Sequence, residues 1–137
     1  MKALQVHKNE GIATVVHLIR KLEAESHLLV QFTLMQGILS VPLSNEKSVA
    51  LYRVIQESLT NAMRHSESRE VQVTLGRSAT GDISFMISNT VHQPTAFHYG
   101  FGLSNMKKRV EELKGKLSAY QTEKQFIVEG VIPGEEG

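Results

Sequence analysis

Glu57, Asn61, Arg64 and His65 fall together in the stretch LYRVIQESLTNAMRHS, residues 51–66. A carboxylate, a carboxamide, a guanidinium and an imidazole are side chains that meet metal ions and phosphate oxygens. On a helix with about 100° per residue and Glu57 at zero, Asn61 falls at about 40°, Arg64 at about −20° and His65 at about 80°. The four share one stripe roughly two turns long. Leu51, Ile55, Leu59 and Ala62 fall in a separate arc centred at about 150°, so a different face serves the core. An amide oxygen beside a carboxylate positions a hard cation such as Mg²⁺, directly or through water. Arginine and histidine one or two turns away reach phosphate oxygens. The ordinary alternative is a solvated helix face. Such faces rely on Lys–Glu pairs at i,i+4, whereas the i,i+4 pair here is Glu57 with Asn61, which gains little from ion pairing.

A second group is YGFGLSNMKKR, residues 99–109. Gly100 and Gly102 stand just before a helix whose first turn begins near Leu103. Glycines let a backbone approach a ligand closely, and free N–H groups at a helix start favour anions. Two glycines before a helix are common in loops. Their weight comes from following the polar helix at a distance of two strands.

The elements that must position these residues follow from periodicity and punctuation. Residues 11–25 place Val15, Leu18, Ile19 and Leu22 at helical spacing. Residues 27–34 are apolar and partly β-branched or aromatic, as in a strand, and a short strand over GILSV follows, ending at Pro42. Ser44 and Asn45 are N-cap candidates for the helix that runs to His65. Residues 71–77 and 83–88 alternate as paired half-buried strands. Residues 89–102 have no period and read as a loop. From Leu103 a helix turns Leu103, Met106, Val110 and Leu113 inward, with Gly115 as its C-cap. KLSAYQ and QFIVEGVI form a closing hairpin. The order predicts an α/β sandwich: a mixed, mostly antiparallel sheet of about five strands with three helices on one face.

Composition narrows the function classes. The chain has 137 residues, 41% hydrophobic, enough for one domain with one core. Its 15 basic and 14 acidic residues are spread along the chain, which argues against a protein devoted to nucleic-acid phosphates or to anionic membranes. There is no cysteine, so disulfides, thiolate catalysis and zinc-thiolate sites are excluded. The first residues lack the apolar core of a signal peptide, and no apolar run approaches the roughly 20 residues of a membrane span. The expectation is a cytoplasmic piece of a larger, possibly membrane-bound, protein.

At this point a resemblance enters. QESLTNAMRHS resembles the N-box of the ATP-binding domain of sensor histidine kinases, in the GHKL ATPase superfamily. GFGLSNMKKRVEELKGKL resembles the glycine-rich box and following helix of the branch that includes nitrate/nitrite and envelope-stress sensors. The resemblance covers the chain from about Gly11 to Pro133. It implies a catalytic domain at 11–133, preceded by a remnant of another segment at 1–10 and followed by a tail at 134–137. It implies ATP and Mg²⁺ as ligands, with Asn61 as the Mg²⁺ ligand and Glu57 near the γ-phosphate as a base or a positioning group. Arg64 and His65 would lie near phosphates or ribose. Gly100, Gly102 and Leu103 would bound a short lid formed by residues 90–99. The implied partners are a dimerisation and phosphoacceptor hairpin, absent here, and a downstream response regulator. The isolated domain is expected to be a monomer without direct membrane contact.

One departure stands out. The family's Asp-x-Gly at a strand end, which receives adenine, is matched here by Asn89 and Val91. Asn89 still offers an acceptor but no charge, and Val91 adds bulk. No His-Asp or His-Glu phosphoacceptor motif is present. His7, His17, His27, His92 and His98 read as surface or structural residues. Phe97, Tyr99 and Phe101 read as an aromatic cluster packing the lid, and Lys107, Lys108 and Arg109 as a solvated helix face. Two alternatives stand beside the kinase reading: a GHKL serine kinase acting as an anti-sigma factor, and a nucleotide-blind docking module for which Asn89 and Val91 would speak.

Overall fold

The structure, a computed structural model, describes residues 11–65, 69–91 and 101–135; the side chains of Arg64, His65 and Phe101 lie outside that description. The chain order is α1 (Gly11–Ser26), β1 (Leu29–Leu34), a single 3-10 turn (Ile38–Ser40), α2 (Asn45–His65), β2 (Glu70–Arg77), β3 (Ile83–Thr90), α3 (Phe101–Glu112), β4 (Lys116–Gln121) and β5 (Gln125–Ile132). The five strands form one sheet in the order β1-β2-β3-β5-β4. Only β1 and β2 are parallel, and the other neighbours are antiparallel. A parallel pair needs a crossover, and α2 is that crossover. It lies between α1 and α3 in the helix layer.

The core lies between the sheet and that layer. Leu51, Ile55, Leu59 and Ala62 of α2 are buried, the stripe that the periodicity assigns to the core. They meet Val71, Val73 and Leu75 of β2 and Ile87 of β3 in one apolar cluster, which Ile12, Val15 and Ile19 of α1 and Leu103 and Val110 of α3 complete. Met106 and Leu113, expected inward, are half-buried. The opposite face of the sheet carries Thr74, Ser84, Met86, Ser118, Tyr120 and Glu129, and no described helix covers it.

Three local expectations need correction. The segment GILSV forms a 3-10 turn, entered through Gly37 at φ 86°, instead of a short strand. Its residues pair with no strand of the sheet. Of the loop expected at 89–102, Asn89 and Thr90 belong to β3 and Phe101 and Gly102 to α3, while residues 92–100 lie outside the described residues. The left-handed residue ending α3 is Lys114, at φ 70°, and not Gly115. Gly115 is needed for space: a β-carbon there would overlap the carbonyl of Val131.

The start of α2 is fixed as capping chemistry requires. Ser44 Oγ accepts the Lys47 N–H at 3.2 Å. Glu135 Oε2 accepts the Ser44 N–H at 3.1 Å and pairs with Lys47 Nζ at 3.3 Å. The Ser44 N–H, and then Lys47, hold the Glu135 carboxyl below its ordinary value against the opposing effect of burial.

The edge strand β1 is clipped by α1. Its odd-numbered residues turn their backbone groups to β2, as the Leu29 N–H to Arg69 O bond shows. Val30 therefore turns its N–H and C=O outward. The Val30 N–H donates to Glu23 Oε2, and Arg20 Nη1 donates to the Val30 carbonyl at 2.9 Å. Arg20 and Glu23 pair at 2.8 Å, and the Arg20 guanidinium lies 4.9 Å from the Phe32 ring centroid. Burial alone would raise the Glu23 pKa, but the Val30 N–H and Arg20 outweigh it and hold it lower than usual. A depressed folded-state pKa contributes stability that is complete above the ordinary carboxylate value and fades as pH falls through the folded value. Glu23→Gln is thus expected to cost about 1–2 kcal/mol at neutral pH. In urea titrations the gap between variant and parent should close below the carboxylate range. A gap independent of pH would show that the carboxylate charge is not what Val30 and Arg20 use.

Candidate functional site

Topology brings the candidate residues to one end of the sheet. α2 runs its C-terminal half toward the start of β2, where Val71 pairs with Asn89 at the far end of β3. α3 starts after that same end of β3. The second half of α2, the end of β3 and the start of α3 therefore share a corner.

Side-chain placement divides the polar residues of α2 into two kinds. Ser58 Oγ donates back to the Val54 carbonyl at 2.8 Å and Thr60 Oγ1 to the Gln56 carbonyl at 3.1 Å, so these two are satisfied within the helix. Asn61 is different. It is 8% exposed, and its Nδ2 has no hydrogen-bond partner among the described residues. A buried amide left unpaired costs stability, and such groups in native proteins call for an explanation.

One turn earlier, half-buried Glu57 presses its carboxylate against Gly102, the second residue of α3. A β-carbon at Gly102 would overlap both carboxylate oxygens. Gly102 has no positive φ, so glycine is required there for space and not for backbone freedom. The ligand-like close approach expected at this glycine is made, in this structure, by Glu57. Sequence reading named both residues and missed their contact. The signal that could have found it was the pairing of a glycine at a helix start with an acid on the neighbouring helix, since α3 carries no acid in its own first turn.

Leu103, one residue on, is fully buried in the core and anchors the start of α3. Asn89 is 4% exposed and closes β3 between Val71 of β2 and Phe126 of β5. Val91 belongs to the apolar core, and its N–H donates to the Lys124 carbonyl at 2.8 Å. The expected bulk at Val91 is thus present and packed inward. Lys107, Lys108 and Arg109 are exposed, as are His17 and His27. The backbone of Arg64 and His65 continues α2, while their side chains lie outside the described residues, as do Gly100, His7, His92, His98, Phe97 and Tyr99 and most of the expected lid.

The donor set can be tested against a divalent cation. Among the described residues no group of three or more His, Cys, Asp or Glu side chains converges. The described residues alone offer no cage. One carboxylate and one carboxamide, a turn apart on one face, suit Mg²⁺ when a phosphate ligand supplies further oxygens. A shallow groove of about 450 Å³ on the open sheet face, lined by Thr74, Ser84, Met86, Lys116, Ser118 and Glu129, lies across the sheet from this corner.

Comparison with known proteins agrees with the fold. The chain is 28% identical over 108 residues to the sensor histidine kinase YxjM of Bacillus subtilis, covering 79% of this chain and 26% of that protein. It therefore spans about a quarter of that relative's length. The catalytic domain of histidine kinase ThkA, in a nucleotide-free form, superposes with a TM-score of 0.65 at 18% identity over 90% of each chain. Full-length ShkA in complex with AMPPNP superposes with a TM-score of 0.71 at 13% identity, covering 96% of this chain and 31% of that one. These structures establish the fold: a five-stranded mixed sheet with three helices on one face. Residues 46–133, from the first turn of α2 to the end of β5, match the family of histidine kinase-, DNA gyrase B- and HSP90-like ATPases, and the chain belongs to it.

Proposed function

We propose that this chain is the ATP-binding catalytic domain of a sensor histidine kinase, transferring the γ-phosphoryl group of ATP to a histidine on a separate dimerisation hairpin. The observation that carries this reading is the buried Asn61 amide, whose Nδ2 has no partner, one turn from Glu57, itself set against the α3 start. Such a pair is poorly explained by packing and well explained by a charged ligand that completes it. YxjM is a sensor histidine kinase and ThkA a histidine kinase, and the AMPPNP held by ShkA is a stand-in for ATP in which nitrogen replaces the β–γ bridging oxygen.

In this reading Asn61 would hold Mg²⁺ through its side-chain oxygen, and Glu57 would position the cation or a water beside the γ-phosphate. Mg²⁺, when bound, neutralises charge on the triphosphate. The N–H groups at Gly102 and Leu103 face phosphate oxygens, with Gly100, Arg64 and His65 adding to that shell. Asn89 accepts the adenine amino group through its carboxamide oxygen. An imidazole nitrogen of the acceptor histidine forms the new P–N bond as the bond to the bridging oxygen of ADP breaks. Little covalent work falls to the protein, which orients the triphosphate and excludes water.

The unit is residues 11–133, with 134–137 as a tail, and it acts in the cytoplasm, as a monomer when isolated. Its hairpin and a response regulator are its protein partners. Among the described residues no helix is long and apolar enough to cross a membrane. Packing of Val91 into the core favours keeping the docking-module alternative in the test. Calorimetric titration of the domain with ATP in Mg²⁺ decides between them. Saturable heat supports the catalytic reading; a folded sample that gives none at millimolar ATP supports the docking module.

A further inference from the structure

Among the described residues three buried side-chain atoms lack a hydrogen-bond partner: Ser48 Oγ, Asn61 Nδ2 and Gln121 Nε2. Ser48 lies in the first turn of α2, far along that helix from Asn61. Gln121 is the last residue of β4, and no motif in the sequence marks it. Leu117 and Ala119, at alternate positions before it, meet the core, so Gln121 shares the helix-covered face of the sheet. Strand register carries that face across the sheet end: Asn89 of β3 pairs with Phe126 of β5, and Phe126 pairs with Gln121. The row is a carboxamide, a phenyl ring and a carboxamide, the two outer Cα atoms about 10 Å apart across two strand spacings. α3 ends at Glu112 and β4 starts at Lys116, so the helix runs back along the strand. Its 12 residues and the strand's 6 span nearly the same length, about 18–20 Å. The start of α3 is therefore level with Gln121, and the row lies beneath the corner shared by α2, β3 and α3.

Resting on the nucleotide-binding reading above, we propose that Gln121 is a specificity-determining residue, donating a side-chain N–H to an acceptor nitrogen on the rim of the nucleobase. A purine has flat apolar faces and polar atoms around its edge. An aromatic ring flanked by two amides matches that pattern, since a few fixed polar groups beside an apolar surface orient a ligand. Asn89 meets the base from one side and Gln121 from the other, with Phe126 between them. The Gln121 amide nitrogen finds no acceptor within the described protein, and a bound base brings one. A site built around such a donor rejects ligands that leave it unpaired. Asn89 offers a neutral acceptor, so a second fixed contact carries part of the selection for the base.

The test is a set of calorimetric titrations of the chain with ATP and with inorganic tripolyphosphate, both in Mg²⁺, on the parent, Gln121→Met and Gln121→Glu, with thermal melting alongside. Tripolyphosphate carries the phosphates without the base. Gln121→Met keeps the length of the side chain and removes the amide. It is expected to weaken ATP binding about tenfold, to leave tripolyphosphate binding within about twofold, and to melt no lower than the parent. Gln121→Glu exchanges the donor for an acceptor and should weaken ATP at least as much, again sparing tripolyphosphate. ATP affinity unchanged in both variants overturns the proposal and leaves the nucleotide reading intact. Equal loss for ATP and tripolyphosphate also overturns it, since the residue would then act on the phosphates or on the fold. A Gln121→Met chain that melts several degrees lower assigns the amide to structure and overturns it too. A folded parent that binds neither ligand overturns both readings.

Discussion

Asn61→Ala is expected to abolish autophosphorylation of a full-length kinase carrying this domain, by at least about a hundredfold in rate, while the domain melts no lower than its parent. The two halves of that result have one cause. Asn61 is 8% exposed with an orphaned Nδ2, so its amide nitrogen contributes desolvation cost and no compensating bond. Removing it should be neutral or should stabilise the domain by about 1 kcal/mol. A residue kept for packing would behave in the opposite way, since truncating a buried side chain leaves a cavity. Thermal melting of the isolated domain and a phosphotransfer assay on the full-length protein read the two halves separately. Normal phosphorylation would sink the metal assignment; a domain that unfolds would show that Asn61 is structural.

Gly102→Ala carries the second large effect. In an ordinary helix position this change stabilises by about 1 kcal/mol, because alanine is the better helix former. Here the new methyl group would overlap the Glu57 carboxylate, and one of the two must move. The propensity gain offsets part of that cost, so the melting temperature should change little. Binding of Mg²⁺-ATP should weaken by at least about tenfold, because the shift falls on the group that the proposed function sets beside the phosphates. Calorimetry and melting on one preparation check both statements. A tighter melt with unaltered binding would mean that Glu57 is free to swing away without consequence.

The division between what was legible in the sequence and what was not follows the range of the interactions. The core stripe of α2 and the pairing of β2 with β3 rest on periodicity within one segment, and the structure has them where the pattern puts them. Ser44 as N-cap is equally local. The 3-10 turn at Ile38 reads as a strand because Ile38, Leu39 and Ser40, between Gly37 and Val41, carry no period. Its true state depends on which edges of the sheet are free. The clip of Arg20 and Glu23 on Val30 was invisible for a similar reason: it joins side chains to a backbone edge that exists only once β1 is docked. At the site, the residue types and spacing pointed to Glu57 and Asn61. That Gly102 answers to Glu57 needed the packing of α2 beside α3.

The parallel pairing of β1 with β2 also orders events in time. The pairs β2–β3 and β4–β5 are each joined by a few residues and close cheaply, whereas β1 meets β2 only after the whole of α2 has been laid across the sheet. The helix that carries Glu57 and Asn61 is therefore expected to be committed before the edge strand docks. In pulse-labelled hydrogen exchange during refolding, the amides of β2 and β3 should gain protection first and those of β1 last. A nascent chain would then carry Glu57 and Asn61 in place while β2 still presents an unpaired edge, and that brief interval is when the molecule is most exposed to pairing with a stranger.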